Sequence, residues 1–197
     1  MRKPIAEVIE SGTRSFVAEV YREAEPPSFG AWVRVPGGAA VLYAVVSHVE
    51  IGSVEPNRRA VAFGKTPDEL RREMPQVLEL LRTTFRAQVV AYRPEGGPLR
   101  QTLPPQPADI HAFVAPCPAD EVKALGAPFD YLRTLVRHPD PSVPVDDLLV
   151  ALLGQIYTAH GGPHGGEQAL LAAGRVLSRL MDDDHERLQS VLRRVVV

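Results

Sequence analysis

The sequence predicts an α+β protein: an N-terminal small β-barrel of six strands with one helical insertion, followed by a C-terminal α-helical domain. Three observations predict it. Before Pro116, apolar residues alternate or cluster in short β-branched runs punctuated by Gly and Pro; after it, Leu-rich stripes recur at helical spacing. The 197 residues are 45% hydrophobic and 23% charged, which is enough to bury a core and excludes a disordered chain. The predicted division is a β domain over 1–116, with the helical insertion at about 66–86, and a helical domain over 117–197.

The strands come first. Ile5 to Ile9, Ser15 to Tyr21, Ala31 to Val35, Val41 to Ile51, Arg59 to Phe63 and Ala87 to Tyr92 read as strands. Pro26-Pro27, Pro36-Gly37-Gly38, Pro56-Asn57 and Pro94-Glu95-Gly96-Gly97 supply the turns between them. Six short strands with tight turns favour a closed barrel or sandwich, because open edges invite pairing with other chains. Val41 to Ile51 is long enough to bend across two sides of a barrel.

The insertion opens on Thr66-Pro67-Asp68-Glu69: Thr as cap, Pro at the first helical position, and Glu three residues on to close a capping box. Leu70, Met74, Val77, Leu78, Leu81 and Phe85 then fall on one helical face. Pro75 interrupts it, which predicts a short helix, a kink and a second helix from about Pro75 to Arg86. The opposite face carries Arg71, Arg72, Glu73, Glu79, Arg82 and Arg86.

Beyond the Pro-rich stretch Leu103 to Pro107, Pro118 to Leu125 and Pro128 to His138 read as short helices. Val145, Leu148, Leu149, Leu152, Leu153 and Ile156 mark a stronger one. The Gly-rich loop from Gly161 to Gly166 separates it from a helix bearing Leu170, Leu171, Leu177, Leu180 and Met181. A last helix starts at Asp182 and carries Leu188, Val191, Leu192 and Val195. Short loops make such helices antiparallel neighbours.

Composition excludes several function classes. No apolar run approaches the roughly 18 residues of a membrane span, and no apolar run follows the basic tip Arg2-Lys3, so neither membrane insertion nor secretion is expected. One cysteine, Cys117, cannot form an internal disulfide and suggests a reducing, cytoplasmic setting. The net charge of -2, near +1 up to Pro116 and -3 after it, provides no polybasic module. Nineteen of the 22 basic residues are Arg, and Asn57 is the one Asn, as in an Arg- and Pro-rich bacterial or heat-adapted proteome.

Four constellations invite a chemical reading. Gly64-Lys65-Thr66 resembles the end of a phosphate loop, but Arg59 stands where the loop's first Gly is required, and Thr66 is spent as a helix cap. His160, His164 and the run Asp182-Asp183-Asp184-His185 could hold a metal. The two His lie on a Gly/Pro loop with no common face, however, and the Asp run reads better as a helix start. Cys117 with His111 could form a nucleophilic pair, although a structural Cys at a domain junction is the simpler account. Arg58, Arg59, Arg71 and Arg72 flank one turn-to-helix junction, with Arg82, Arg86 and Arg100 as further candidates for a partner or phosphate contact. Glu55, Asp68, Glu69 and Glu73 lie among them, and aromatics are not interleaved. No cofactor site, metal site or catalytic signature is expected from the sequence.

A longer ordered string resembles a known family. It runs from Tyr43-Ala-Val-Val-Ser-His-Val-Glu50 through Ile51-Gly-Ser-Val-Glu-Pro-Asn-Arg-Arg-Ala-Val-Ala-Phe-Gly64 and Glu73-Met-Pro-Gln76 to Leu103-Pro-Pro-Gln-Pro-Ala-Asp-Ile-His-Ala-Phe-Val-Ala-Pro-Cys117. Over about residues 5 to 117 it resembles the HAS-barrel domain shared by HerA-type DNA translocases and rotary ATP synthase subunits. The resemblance implies a six-stranded barrel that packs side by side into a ring above an ATPase core. Here about 80 helical residues follow Cys117 where a HerA-like protein continues into its ATPase, and no Walker A loop follows. ATP hydrolysis and translocation are therefore not carried over. The expected function is a non-enzymatic assembly or adaptor protein that oligomerises or docks on a HerA-type ATPase or its nuclease. Nucleic-acid binding through the Arg surface is the alternative, and an enzyme using Cys117 with His111 or a His-loop metal comes third.

Overall fold

The computed structural model describes residues 3–53 and 61–195. Its elements are β1 (Ala6–Ser11), β2 (Ser15–Val20), β3 (Trp32–Gly37), β4 (Ala40–Ser53), α1 (Pro67–Glu73), α2 (Pro75–Glu79), β5 (Leu81–Pro94) and β6 (Phe113–Pro116). The helices α3 (Ala119–Ala124), α4 (Tyr131–Val136), α5 (Val145–Ala159), α6 (Gly166–Leu180) and α7 (His185–Arg194) follow, with a 3-10 turn at Gly162–His164. The fold is α+β, with a closed antiparallel barrel in the order β1-β2-β5-β4-β3-β6, sealed by β6 pairing back onto β1. No helix among the described residues is long and apolar enough to cross a membrane.

Two apolar clusters hold this arrangement. Inside the barrel, Val8, Phe16, Val35, Leu42, Phe85 and Val114 meet from all six strands, with Phe16 and Phe85 edge to face at 6.4 Å. The second cluster lies between the outside of the barrel and the helices. Trp32, Tyr43, Val45, Val90 and Ala91 face outward from β3, β4 and β5 and pack against Leu132, Leu149, Leu152 and Ile156. A bulge makes part of this possible. Tyr43 pairs with Ala91 and Ala44 with Val89, so Val90 is skipped, and both Val90 and Ala91 join the outer cluster. The run Leu42 to Val46 is consequently buried at every residue, where a half-exposed strand would alternate.

Polar ties fix the helices on the wall. Arg34 of β3 is ion-paired with Glu121 of α3. Gln101 donates to the Gly126 carbonyl at 2.9 Å and accepts from the Asp130 N–H at 2.7 Å, which pins the connection between α3 and α4. Buried Gln88 donates to Ser47 Oγ at 2.9 Å, and its Oε1 lies 3.0 Å from His138 Nε2. The Asp140 N–H donates to His138 Nδ1, so the neutral ring carries its proton on Nε2 and donates it to Gln88. Gly30, at φ +78°, lets the chain pass α5, since a Cβ there would sit 2.4 Å from the Ala151 Cβ.

Three expectations are corrected. The second inserted helix does not run from Pro75 to Arg86: α2 ends at Glu79, and Leu81 to Arg86 is strand, paired with β4 as far as Ser53. The helical face Leu78-Leu81-Phe85 competes with the alternation Leu81-Thr83-Phe85-Ala87, and the latter wins. It puts Phe85 inside the barrel, and two successive threonines fit a pleated strand better than a helix. The sixth strand is also different. Val61–Phe63 forms no strand, Arg59 and Ala60 lie outside the described residues, and the barrel is closed instead by Phe113–Pro116. Four residues are too few to show a period. The last helix begins at His185, with Asp184 as its cap, rather than at Asp182.

Candidate docking surfaces

The long strands β4 and β5 extend beyond the barrel. Opposite β5, β4 pairs with β3 only to Val45, whereas its ladder with β5 continues to Ser53 and Leu81. The β2–β5 ladder ends at Thr84, so Ile51–Ser53 and Leu81–Thr83 form a two-stranded ribbon, tied to β2 by the Arg82–Glu19 ion pair. This arm leads to α1 and α2, neither of which contains a buried residue. Ile51 is 68% exposed, Val61 70% and Phe63 42%, while Leu70, Met74, Val77 and Leu78 are only half-covered. Of the apolar face read for the insertion, Leu70, Met74, Val77 and Leu78 remain on or beside α1 and α2, and no part of the described chain covers them fully, whereas Leu81 and Phe85 belong to β5.

Locally, α1 forms as its sequence dictates. The Glu69 N–H donates to Thr66 Oγ1, and the Thr66 N–H donates to Glu69 Oε2 at 2.7 Å, which is the capping box. The Thr66 N–H and, at 2.9 Å, the Thr66 hydroxyl both donate to this carboxylate and hold the Glu69 carboxyl below its ordinary value. Lys65 is ion-paired with Glu73, so Lys65 and Thr66 are both occupied in the helix start that the phosphate-loop reading would need open.

A second uncovered surface lies on the helices. α5, α6 and α7 border a groove of about 640 Å³ with Leu153, Leu170, Leu171, Gly174, Leu192 and Val195 along it, and with Glu167, Arg175 and Ser178 on its polar margin. Leu171 is 64% exposed and Leu192 is 42% exposed. The buried side of α6 uses Ala169, Ala173 and Leu177, so α6 carries apolar residues on two faces and only one is packed. α7 is held at the groove's edge by Leu188 and Val191 beneath it. Two ion pairs to the first turn of α5 add to this, Arg187 to Asp146 at 2.7 Å and Arg194 to Asp147 at 2.6 Å. The hydrogen bond to Asp146 raises the Arg187 guanidinium above its ordinary value.

The chemical candidates are placed as follows. Cys117 is buried beside Trp32, with its N–H donating to the Trp32 carbonyl at 2.9 Å. His111 is at the other end of β6, exposed and paired with Glu7, so the fold does not bring the two together. His160 donates from Nδ1 to the Ile156 carbonyl at 2.9 Å and packs on Gly126; His164 closes the 3-10 turn. Asp184 accepts from the Arg187 N–H as the cap of α7. Among the described residues, no three His, Cys, Asp or Glu side chains are arranged to hold a metal ion. Arg71 and Arg72 lie together on α1, with Arg71 paired to Asp68 at 2.6 Å; Arg58 and Arg59 lie outside the described residues. Arg82 pairs with Glu19, and Arg100 bridges to Tyr92 near the other end of β5, away from α1.

One basic site had no signal in the sequence. Arg14, Arg133, Arg137 and His138 border a cavity of about 250 Å³ floored by Gln88 and Leu135, with no carboxylate among its lining residues. Arg133 and Arg137 lie four residues apart at the end of α4, but Arg14 comes from the distant β1–β2 turn, so no spacing in the sequence joins the three. Comparison with known proteins adds no family to this geometry: no family model matches the chain, and no curated protein does.

Proposed function

We propose that the protein is a cytoplasmic, non-enzymatic assembly adaptor that resembles the HAS-barrel of HerA-type DNA translocases. In this reading, residues 1–116 form the docking barrel and residues 117–197 a helical domain standing where the motor would be. One observation carries the proposal: apolar surface is left uncovered at two separate places, the arm with α1 and α2 on the barrel and the groove of α5 to α7 on the helices. A bridging protein needs two such surfaces. The arm is assigned to a HerA-type ATPase or its nuclease.

Titration of a purified HerA-type ATPase, and separately of its nuclease, tests the assignment. Saturable binding is expected to one of them, weakened at least tenfold by Ile51→Glu with Phe63→Glu. No binding to either overturns it. ATP turnover by the pure protein that is lost in Lys65→Ala overturns the non-enzymatic half.

The guanidinium groups of Arg14, Arg133 and Arg137, beside a cavity with no carboxylate among its lining residues, favour a second reading, an accessory protein that binds nucleic-acid phosphates. Arg58, Arg59, Arg71 and Arg72 are the alternative surface. Each predicts a salt-dependent affinity for a defined oligonucleotide. Reversing Arg133 and Arg137 flattens the slope on the first surface, and reversing Arg71 and Arg72 flattens it on the second.

A further inference from the structure

We infer that the groove of α5 to α7 is a self-docking surface, where a second copy of this chain lays its α6 antiparallel across a two-fold axis at Leu171. The inference rests on the adaptor reading only in treating the groove as a protein interface, and it leaves the arm for the motor.

Three observations select this occupant. First, the charge pattern of α6 is complementary to itself. Glu167 and Arg175 both line the groove, eight residues apart and about 12 Å along the helix, too far to pair with each other. Neither is in an ion pair among the described residues. Their midpoint is Leu171. A two-fold axis at that residue sets Glu167 of each copy against Arg175 of the other, so both charges are satisfied by one operation. Second, Leu171 is the most exposed large apolar side chain among the described residues of the helical part at 64%, and it sits on the axis, where the contact is most fully desolvated. Third, Gly174 lies in the groove one turn from Leu171, and a Cβ built there meets nothing within 4 Å, so a second helix can approach closely. Leu192 of α7 and Val195 just after it flank the incoming helix.

A partner of unrelated sequence could satisfy the leucines, but it would have to supply an acidic and a basic residue at matching spacing and in reversed order. The α6 of another copy supplies both without further assumption. The contact involves about three turns of helix, at the low end of interface sizes, so association is sought up to high micromolar concentrations.

The test is the mass of the full chain in solution from 1 to 200 µM, by light scattering and sedimentation equilibrium. A concentration-dependent dimer is expected. Leu171→Glu should leave the circular dichroism and melting unchanged and weaken association at least tenfold. Glu167→Arg and Arg175→Glu each set like charges in opposition and should each weaken it by a similar factor. Mixing the two single variants should restore association as a heterodimer, and Glu167→Arg with Arg175→Glu in one chain should restore the homodimer to within a few-fold. A monomer at every concentration overturns the inference. So does a dimer indifferent to Leu171→Glu, or a failed charge exchange. If the monomer still binds the HerA-type ATPase and Leu171→Glu abolishes that binding, the groove belongs to the motor and self-docking is overturned while the adaptor reading stands. A well-behaved dimer that binds neither motor nor nuclease does the opposite: self-docking stands and the adaptor reading is overturned.

Discussion

Tyr131 is the residue where the physics is most exposed. It is fully buried and edge to face with Trp32 at 5.4 Å, yet its hydroxyl has no partner among the described residues. An unsatisfied buried hydroxyl costs about 1–3 kcal/mol, while the ring's packing is retained in Phe. Tyr131→Phe should therefore raise stability by about 1 kcal/mol in a urea titration, and a loss of similar size would show that the hydroxyl has a partner in solution. Burial also pushes the phenol well above its ordinary value of 10.0. The unfolded chain would release this proton near pH 10, whereas the native one keeps it. The stability linked to the neutral ring is complete below pH 10 and declines as pH rises further. Denaturant midpoints at pH 9 to 11 should fall, and Tyr131→Phe should flatten that fall. Desolvation lifts Tyr43 as well, and the nearby Glu121 charge adds to the effect.

At the scale of elements, packing and charge can be separated on α7. Val191 is fully buried, and its truncation to Ala removes two methyl groups and leaves a cavity, at a cost of about 2 kcal/mol. The Arg194–Asp147 pair is largely exposed, so Arg194→Ala should cost no more than about 0.5 kcal/mol. Thermal melts of the two variants check the ranking. On α1, Thr66→Ala removes the cap of a helix that contains no fully buried residue. Amide exchange in α1 should accelerate about fivefold, in line with a cap's typical contribution of about 1 kcal/mol, while the global melt stays in place. Elements with strong local signals were legible from the amino acids alone. The cap and box at Thr66 and Glu69, the kink at Pro75, and the stripe from Val145 to Ile156 all stand where their chemistry puts them. Elements decided by distant partners were not. Leu81 to Arg86 carries both periods, and only β4 on one side and β2 on the other settles which applies. The groove was legible in its parts, since Leu170, Leu171 and Leu192 all read as helix faces. Which face the core would take depends on how α5 and α7 sit.

At the scale of the whole molecule, the decisive feature is the wall of β3, β4 and β5. Its inner side chains fill the barrel and its outer ones, Trp32, Tyr43, Val45, Val90 and Ala91, form the floor of the helical core. Without the barrel the helical core has no floor, and without the helices this apolar outer wall is bare. Calorimetry should accordingly show one endotherm for α3 to α7 and the barrel together, and two well-separated endotherms would disprove their interdependence. The chain's breakpoint near Pro116 was visible as a change of rhythm, but the shared floor was not, because a strand covered on both sides loses the very alternation by which strands are recognised. That same two-sided covering limits how the protein can change over time. An ordinary half-wet strand offers every second position to drift, whereas the stretch from Leu42 to Val46 offers none, so change over time falls on surfaces away from this wall, while the stretch itself stays nearly frozen.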